Sequence, residues 1–131
     1  MSMSWVQRSP QRFHVELQVL QAAANGRFVR VANHLAWEEE VRAGGARFAL
    51  RITYPEDFPF AAPRVFLLYP SLPVSVAVHR YVDGSLCLHG PDEWHPTNTG
   101  VWVRGRAIAW INALVEFSAT GIWPAKPFSR P

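Results

Sequence analysis

The strictest pattern in this chain runs from Ala46 to Tyr54, where apolar side chains occupy every second position. The apolar series is Ala46, Phe48, Leu50, Ile52 and Tyr54, and the residues between them are Arg47, Ala49, Arg51 and Thr53. Because successive side chains of a strand point to opposite faces, this alternation predicts a half-buried antiparallel strand. Gly44-Gly45 supplies the turn before it. Further strand-like segments lie at about 27–33, 35–42 and 64–69.

Segments with helical periodicity lie before and after these strands. Apolar residues recur at spacings of four, three and four in Phe13, Leu17, Leu20 and Ala24, and the other face holds Gln11, Glu16, Gln18 and Gln21. Pro10 and Asn25-Gly26 are typical of the two ends of such a helix, which is predicted over about 10–24. A second helix is predicted over about 103–117. Its apolar face holds Ala107, Ile108, Ile111, Leu114 and Val115. Its predicted solvent-exposed face, called its wet side below, holds Arg104, Arg106, Asn112 and Glu116. The chain is therefore predicted to be one α+β domain spanning residues 1–131.

Composition excludes several classes of protein. With 131 residues and 49% hydrophobic content the chain can bury a real core. No apolar run approaches the roughly 18 residues of a membrane span, and the N-terminus lacks the pattern of a signal peptide. The net charge of +3 comes from scattered arginines rather than from a basic stripe. We expect a soluble cytoplasmic protein that needs no cofactor and binds neither nucleic acid nor membrane.

Two irregular segments follow the strands. Three prolines between Tyr54 and Pro63 exclude a helix interior or a central strand there, so this stretch is predicted to be an ordered aromatic loop. From Pro70 to about Gly100 there is little periodicity. A thirty-residue irregular stretch in a small domain is usually functional.

The second irregular segment contains Cys87, the only cysteine of the chain. A free cysteine is often a buried, inert side chain. Here, however, ionisable residues crowd the sequence around it, as expected where a thiol must ionise and exchange protons. They are His79, Asp83, His89, Asp92 and His95. Cys87 is therefore a candidate nucleophile.

Three motifs in order resemble the ubiquitin-conjugating enzymes. The first is Tyr54-Pro55 with Phe58-Pro59-Phe60 and Pro63-Arg64-Val65, which is similar to the loop between the third and fourth strands of that family. The second is Gly84-Ser85-Leu86-Cys87-Leu88, which is similar to the stretch holding the thioester-forming cysteine. The third is Trp94-His95-Pro96, which resembles the Trp-x-Pro before the central helix. The resemblance covers roughly residues 10–123.

The resemblance implies both a fold and an activity. The fold would be an N-terminal helix, a four-stranded antiparallel meander, an active-site loop and a central helix, here without the two C-terminal helices of many members. Cys87 would accept a ubiquitin-like protein as a thioester from an activating enzyme and pass it to a target. The activating enzyme would meet the first helix around Arg8 and Arg12, and a ligase would meet Phe60 and Pro96. Short, divergent members of this kind resemble those of bacterial conjugation operons, some of them tied to antiviral defence.

The chain departs from the family pattern in ways that affect the second step. The family's His-Pro-Asn before the cysteine is replaced by His79-Arg80-Tyr81, and Ser118 to Pro131 holds no acidic residue. Candidates to stabilise an oxyanion are Tyr81 and Asn98. Candidates for proton handling are His79, His89 and Asp92. His79 could instead brace the loop through hydrogen bonds, and Tyr81 could simply pack.

Other readings of the same residues stay open. One is a catalytically inactive binding module on the same fold. A second is a zinc site built from His79, Cys87, His89 and His95, although their spacing matches no standard pattern. A papain-like hydrolase has the least support, because nothing resembles the surroundings of that family's cysteine or histidine.

Overall fold

The computed structural model describes residues 4–72 and 79–124, and its elements follow the predicted order. They are α1 (Ser4–Arg8), α2 (Pro10–Ala23), β1 (Gly26–Val31), β2 (His34–Ala43), β3 (Ala46–Thr53), β4 (Arg64–Tyr69) and α3 (Gly100–Thr120). The predicted first helix and the strands are confirmed. Helix α3 begins three residues earlier and ends three later than predicted, and the short α1 was not predicted. The predicted lack of the two C-terminal helices stays a prediction, because residues 125–131 lie outside the described part of the chain.

The four strands form one antiparallel sheet in the order β1-β2-β3-β4, as a meander requires. Neighbouring strands pair in register over most of their length, for example Trp37 with Ile52 and Ile52 with Val65. At the β2–β3 turn Gly44 and Gly45 have φ values of +56° and +77°. A side chain at Gly44 would also meet Val115 of α3, since an added Cβ would lie 2.5 Å from its Cγ1 atom.

The core lies between one face of the sheet and α3. Trp37, Leu50 and Ile52 supply the sheet side of this core, and Val103, Ala107, Trp110 and Ile111 supply the helix side. The apolar alternation in β3 therefore predicted correctly which side chains are buried from Phe48 onward, although Ala46 is exposed.

The predicted wet side of α3 is wrong for Arg104. Its Nε and Nη2 atoms donate to the carboxylate of Glu39 at 2.7 and 2.9 Å, and Trp37 Nε1 donates to the same carboxylate at 2.8 Å. Glu39 is itself buried. This paired charge ties β2 to the middle of the helix, because a carboxylate is tolerated inside only when it is paired and hydrogen-bonded.

Glu16 also differs from its predicted place on the polar face of α2, because its side chain is 0% exposed. Its Oε1 accepts hydrogen bonds from the Tyr54 hydroxyl and the Gly100 backbone N–H, both at 2.7 Å, and its Oε2 pairs with Arg12 Nε at 3.1 Å. We call Arg12, Glu16, Tyr54 and Gly100 the Glu16 cluster. It joins α2 to the end of β3 and to the start of α3.

No helix in residues 4–72 and 79–124 is long and apolar enough to cross a membrane.

Candidate active site around Cys87

Cys87 sits on one arm of a narrow antiparallel hairpin between β4 and α3. The hairpin is closed by hydrogen bonds from Cys87 N to His79 O at 3.0 Å and from Tyr81 N to Ser85 O at 2.8 Å, with Arg80 paired to Leu86 between them. His79 and Cys87 are therefore directly opposite each other. Residues so placed have Cβ atoms about 4.5–5.5 Å apart on the same side of the ribbon. The hairpin thus makes His79 and Cys87 neighbours across its two arms.

Two leucines fix the orientation of the thiol. Leu86 and Leu88 are both buried, and Leu86 N donates to Val65 O of β4 at 2.8 Å. Because side chains alternate along an extended segment, Cys87 between them points the other way and is partly exposed. The thiol is therefore not fully buried, and its reactivity stays a prediction.

Asp83 shapes the tip of the hairpin. Its Oδ1 accepts from Ser85 N at 2.9 Å and from the Ser85 hydroxyl at 2.6 Å, and its Oδ2 pairs with Arg64 at 3.1 Å. The hydrogen bonds from Ser85, assisted by the Arg64 charge, lower the pKa of Asp83. Gly84, with φ of +91°, completes the turn. The tip therefore carries a carboxylate that is ionised at neutral pH.

The surroundings raise the pKa of the Cys87 thiol, first through burial and second through the negative charge of Asp83. This runs against the expectation from sequence that the polar neighbours favour ionisation. A thiol with a raised pKa is a more basic nucleophile once ionised and a poorer leaving group.

Replacing Asp83 with Asn should accelerate alkylation of Cys87 by iodoacetamide at pH 7.5. The amide still accepts from Ser85 but no longer opposes the thiolate, so the pH profile of the alkylation rate should shift to lower pH. The matched control is Asp92→Asn, an exposed carboxylate in the next loop, which should leave the profile in place. An unchanged profile for the Asp83 variant would show that its charge does not act on the thiol.

His79 is held by aromatic residues from α3 and beyond. Its backbone oxygen accepts from Trp110 Nε1 at 3.1 Å, and its ring stacks on Trp123 with 4.0 Å between ring centroids and 13° between planes. Burial lowers the pKa of His79, so the neutral imidazole is favoured. The braced backbone and a ring available as a base are compatible with both roles predicted from sequence.

Tyr81 and His89 lie on the outer side of the hairpin. Tyr81 is 47% exposed, and its hydroxyl donates weakly to His89 O at 3.4 Å. His89 Nδ1 lies 2.9 Å from Gly90 O. Because a carbonyl oxygen only accepts, Nδ1 is the donor of this hydrogen bond. The predicted roles of Tyr81 in oxyanion stabilisation and of His89 in proton handling stay predictions.

Asn98 and Arg12 belong to a different part of the site. Asn98 closes a turn with His95, its N donating to His95 O at 2.8 Å, and its backbone oxygen accepts from Arg12 Nη2. Arg12 Nη1 donates to Pro96 O at 2.7 Å. The guanidinium of Arg12 thus anchors the 96–98 segment to α2, a structural role that its sequence position did not reveal. Its contact with an activating enzyme, and the oxyanion role of Asn98, stay predictions.

The aromatic loop 54–63 divides its two phenylalanines between core and surface. Phe58 is 0% exposed and packs on Trp5 and Tyr54, whereas Phe60 is 76% exposed. Phe58 therefore belongs to the core, and Phe60 lies on the surface. Trp94 Nε1 donates to Pro59 O at 2.8 Å and joins this loop to the Trp94-His95-Pro96 segment. Phe60 therefore presents an exposed apolar ring on the aromatic loop. Arg8, the other residue predicted to bind a partner protein, is exposed on α1.

A groove of about 750 Å³ opens between the aromatic loop and the hairpin. Its walls include Ala61, Arg64, Tyr81, Val82, Leu88 and His89. Leu86 and Leu88 line this groove and Cys87 does not, so the groove lies on the leucine side of the segment rather than on the side of the thiol.

A family model decides the wider assignment. The model of the Type II CBASS E2 protein matches residues 16–129, which is most of the chain and includes the Cys87 hairpin. The chain belongs to the Type II CBASS E2 family. This family consists of bacterial E2-like proteins of antiviral conjugation systems. No curated protein matches the chain.

The geometry of this E2-like protein offers no support for the zinc alternative. Within the described ranges, no three His, Cys, Asp or Glu side chains come together as a metal site. His95 instead binds Thr97 through Nδ1 at 2.8 Å, and His79 is stacked on Trp123.

Two features of the E2-like site were missed from sequence. The contact of Trp123 with His79 had no local signal in the sequence, since 43 residues separate the two positions. The effect of Asp83 on the thiol was also missed, although its position four residues before Cys87 in a Gly-Ser turn was a usable sign of proximity.

Proposed function

We propose that this Type II CBASS E2 carries a ubiquitin-like protein as a thioester on Cys87. An activating enzyme supplies the acyl group, and a target molecule receives it. The observation that supports this most is the geometry of the hairpin. The single thiol of the chain is partly exposed, and His79 is the residue opposite Cys87 across the hairpin.

The first step is thioester exchange. The Cys87 thiol loses its proton, its sulfur attacks the carbonyl carbon of the donor thioester, and the donor thiolate leaves and takes up a proton. One C–S bond forms as another breaks, so little intrinsic driving force is needed. The raised pKa of Cys87 favours the acyl group on this sulfur over a more acidic donor thiol.

The second step is attack by an acceptor, most simply an amine. A C–N bond forms, the carbonyl oxygen becomes negative, and the C–S bond to Cys87 then breaks. The amine must lose a proton during this sequence, and we assign its acceptance to His79, which is opposite Cys87 across the hairpin and whose lowered pKa favours the neutral ring. Tyr81 remains the candidate donor for the oxyanion, because its hydroxyl makes only one long hydrogen bond.

Partners are assigned by exposed residues. The activating enzyme would contact the N-terminal helices around Arg8. A ligase or other accessory protein would contact Phe60, whose exposed ring lies on the loop that Trp94 joins to Pro96. The C-terminal tail of the ubiquitin-like protein must reach Cys87.

The test is a charging reaction with the ubiquitin-like protein, ATP and the activating enzyme of the same operon. We expect wild type to give an adduct on a non-reducing gel that disappears on reduction, and Cys87→Ala to give none. Thermal unfolding of both proteins controls for folding. If the activating enzyme is charged but wild type forms no adduct, the thioester proposal is wrong, and an inactive binding module is the better account.

A further inference from the structure

The chain beyond α3 turns back onto the segment that holds Cys87. Gly121 ends the helix with φ of +77°, and its N–H donates to Phe117 O at 2.7 Å. A left-handed residue of this kind reverses the chain at a helix C-terminus. Two residues later Trp123 packs against Phe117 and Trp110, with ring centroids 6.0 and 5.2 Å apart. The indole is therefore fixed by the helix it follows.

The indole lies flat on the His79 imidazole, with ring centroids 4.0 Å apart and planes 13° from parallel. The backbone of His79 is held separately, because its carbonyl oxygen accepts from both Trp110 Nε1 and Cys87 N. With the backbone fixed by two hydrogen bonds and one face of the ring covered, few orientations of the imidazole remain. The ring is thus held at the position in the hairpin whose opposite residue is Cys87.

We propose that Trp123 is a positioning residue that holds the His79 imidazole opposite Cys87, so that its unprotonated nitrogen takes the proton of the amine attacking the Cys87 thioester. This inference rests on the thioester carriage proposed above. The proton passes from the attacking nitrogen to the imidazole and then to the departing Cys87 thiolate. The C–N bond forms, the C–S bond breaks, and His79 returns to its neutral state without any other reactant.

The environment of His79 suits this role. Among the described residues, the groups packed on it from α3 and the chain beyond are the uncharged rings of Trp110 and Trp123. On the hairpin, its ionisable neighbours are the Cys87 thiol opposite and Arg80 next to it, with Asp83 at the tip. Burial is the cause of the lowered pKa of His79. Removing the indole should return the ring to water and raise that pKa toward about 6.5.

The obvious alternative is that Trp123 only covers the core. The two roles differ in their dependence on His79. If Trp123 only packs on the core, its removal should slow every step whether or not the His79 imidazole is present. If it positions His79, its removal should slow discharge only when that imidazole is present. A comparison of single and double variants separates them.

The experiment first charges wild type, Trp123→Ala, Trp123→Phe and the control Ile122→Ala, an exposed neighbour of Trp123. Each purified thioester is then discharged onto a small amine over a range of pH. We expect Trp123→Ala to discharge about tenfold more slowly near pH 7, with the acidic limb of its rate profile moved to higher pH. Trp123→Phe, which retains a ring to stack, should restore most of the rate, and Ile122→Ala should match wild type.

The same alanine substitution is then made in a His79→Ala background, where we expect no further loss. An additional tenfold loss there, or identical pH profiles for wild type and Trp123→Ala, would overturn the role of Trp123. Failure of wild type to charge at all would instead overturn the proposed function. NMR titration of the uncharged proteins measures the pKa of the His79 ring directly and so tests its contact with Trp123. An unshifted titration in Trp123→Ala would also contradict it.

Discussion

Replacing Glu16 with Ala should lower the free energy of unfolding by about 3–5 kcal/mol, the usual cost of removing one partner of a buried ion pair. The carboxylate is fully buried and takes hydrogen bonds from Tyr54 and Gly100 in addition to pairing with Arg12. The substitution would leave a buried hydroxyl and a buried N–H without an acceptor, and an arginine without its counter-ion. Since small domains have only about 5–15 kcal/mol in total, this is a large share.

Urea unfolding followed by tryptophan fluorescence measures this loss. The matched control is Glu40→Ala, because Glu40 also pairs with an arginine, Arg47 at 2.7 Å, but on the exposed surface. That change should cost less than about 1 kcal/mol. Glu16→Gln retains an acceptor for Tyr54 and Gly100 and should fall between the two. Equal losses for Glu16→Ala and Glu40→Ala would show that the Glu16 cluster does not hold α2 to α3.

Replacing Cys87 with Ser should slow charging by several orders of magnitude while leaving the fold intact. An alcohol ionises far less readily than a thiol, so the attacking anion is almost absent at neutral pH. Any adduct that does accumulate would be an oxyester. It would resist thiol reductants, yield to hydroxide, and pass its acyl group to an amine very slowly.

Time courses on reducing and non-reducing gels distinguish the two esters. Asn112→Ser, which places a new hydroxyl on the exposed side of α3, is the control and should charge and discharge as wild type does. An adduct of Cys87→Ser that forms at the wild-type rate, or that is cleaved by reductant, would place the acyl group on another residue.

The sheet could be predicted well because its signal is local. The period of two in β3 and the glycine pair at 44–45 depend only on neighbouring residues, so Phe48, Leu50 and Ile52 were assigned correctly to the core. The residues around Cys87 likewise made it a candidate nucleophile, and the structure shows it partly exposed on a hairpin.

The polar interior could not be predicted in the same way. Periodicity alone placed Glu16 and Arg104 on solvent-exposed helix faces. Each side chain instead bonds a residue distant in sequence, Glu16 to Gly100 and Arg104 to Glu39. A charged residue is buried only if such a partner exists, and a single sequence does not show which distant residues meet. Trp123 is the same case at the site, because its contact with His79 depends on the reversal at Gly121.

The sign of the pKa shift at Cys87 was also beyond sequence reasoning. Counting ionisable residues near the thiol suggested easier ionisation. Burial raises the pKa of the Cys87 thiol, and the nearby carboxylate of Asp83 raises it further. Distances and desolvation decide such a shift, and the number of polar neighbours does not.

The most direct test of the central claim is to locate the acyl group on the charged protein. Wild type is charged with the ubiquitin-like protein, purified without reductant at mildly acidic pH, digested and examined by mass spectrometry. The account predicts that the C-terminal glycyl or other acyl remnant is found on the peptide containing Cys87, and that hydroxylamine at neutral pH releases it. A remnant on any other residue, or a charged activating enzyme with unmodified Cys87, would contradict it.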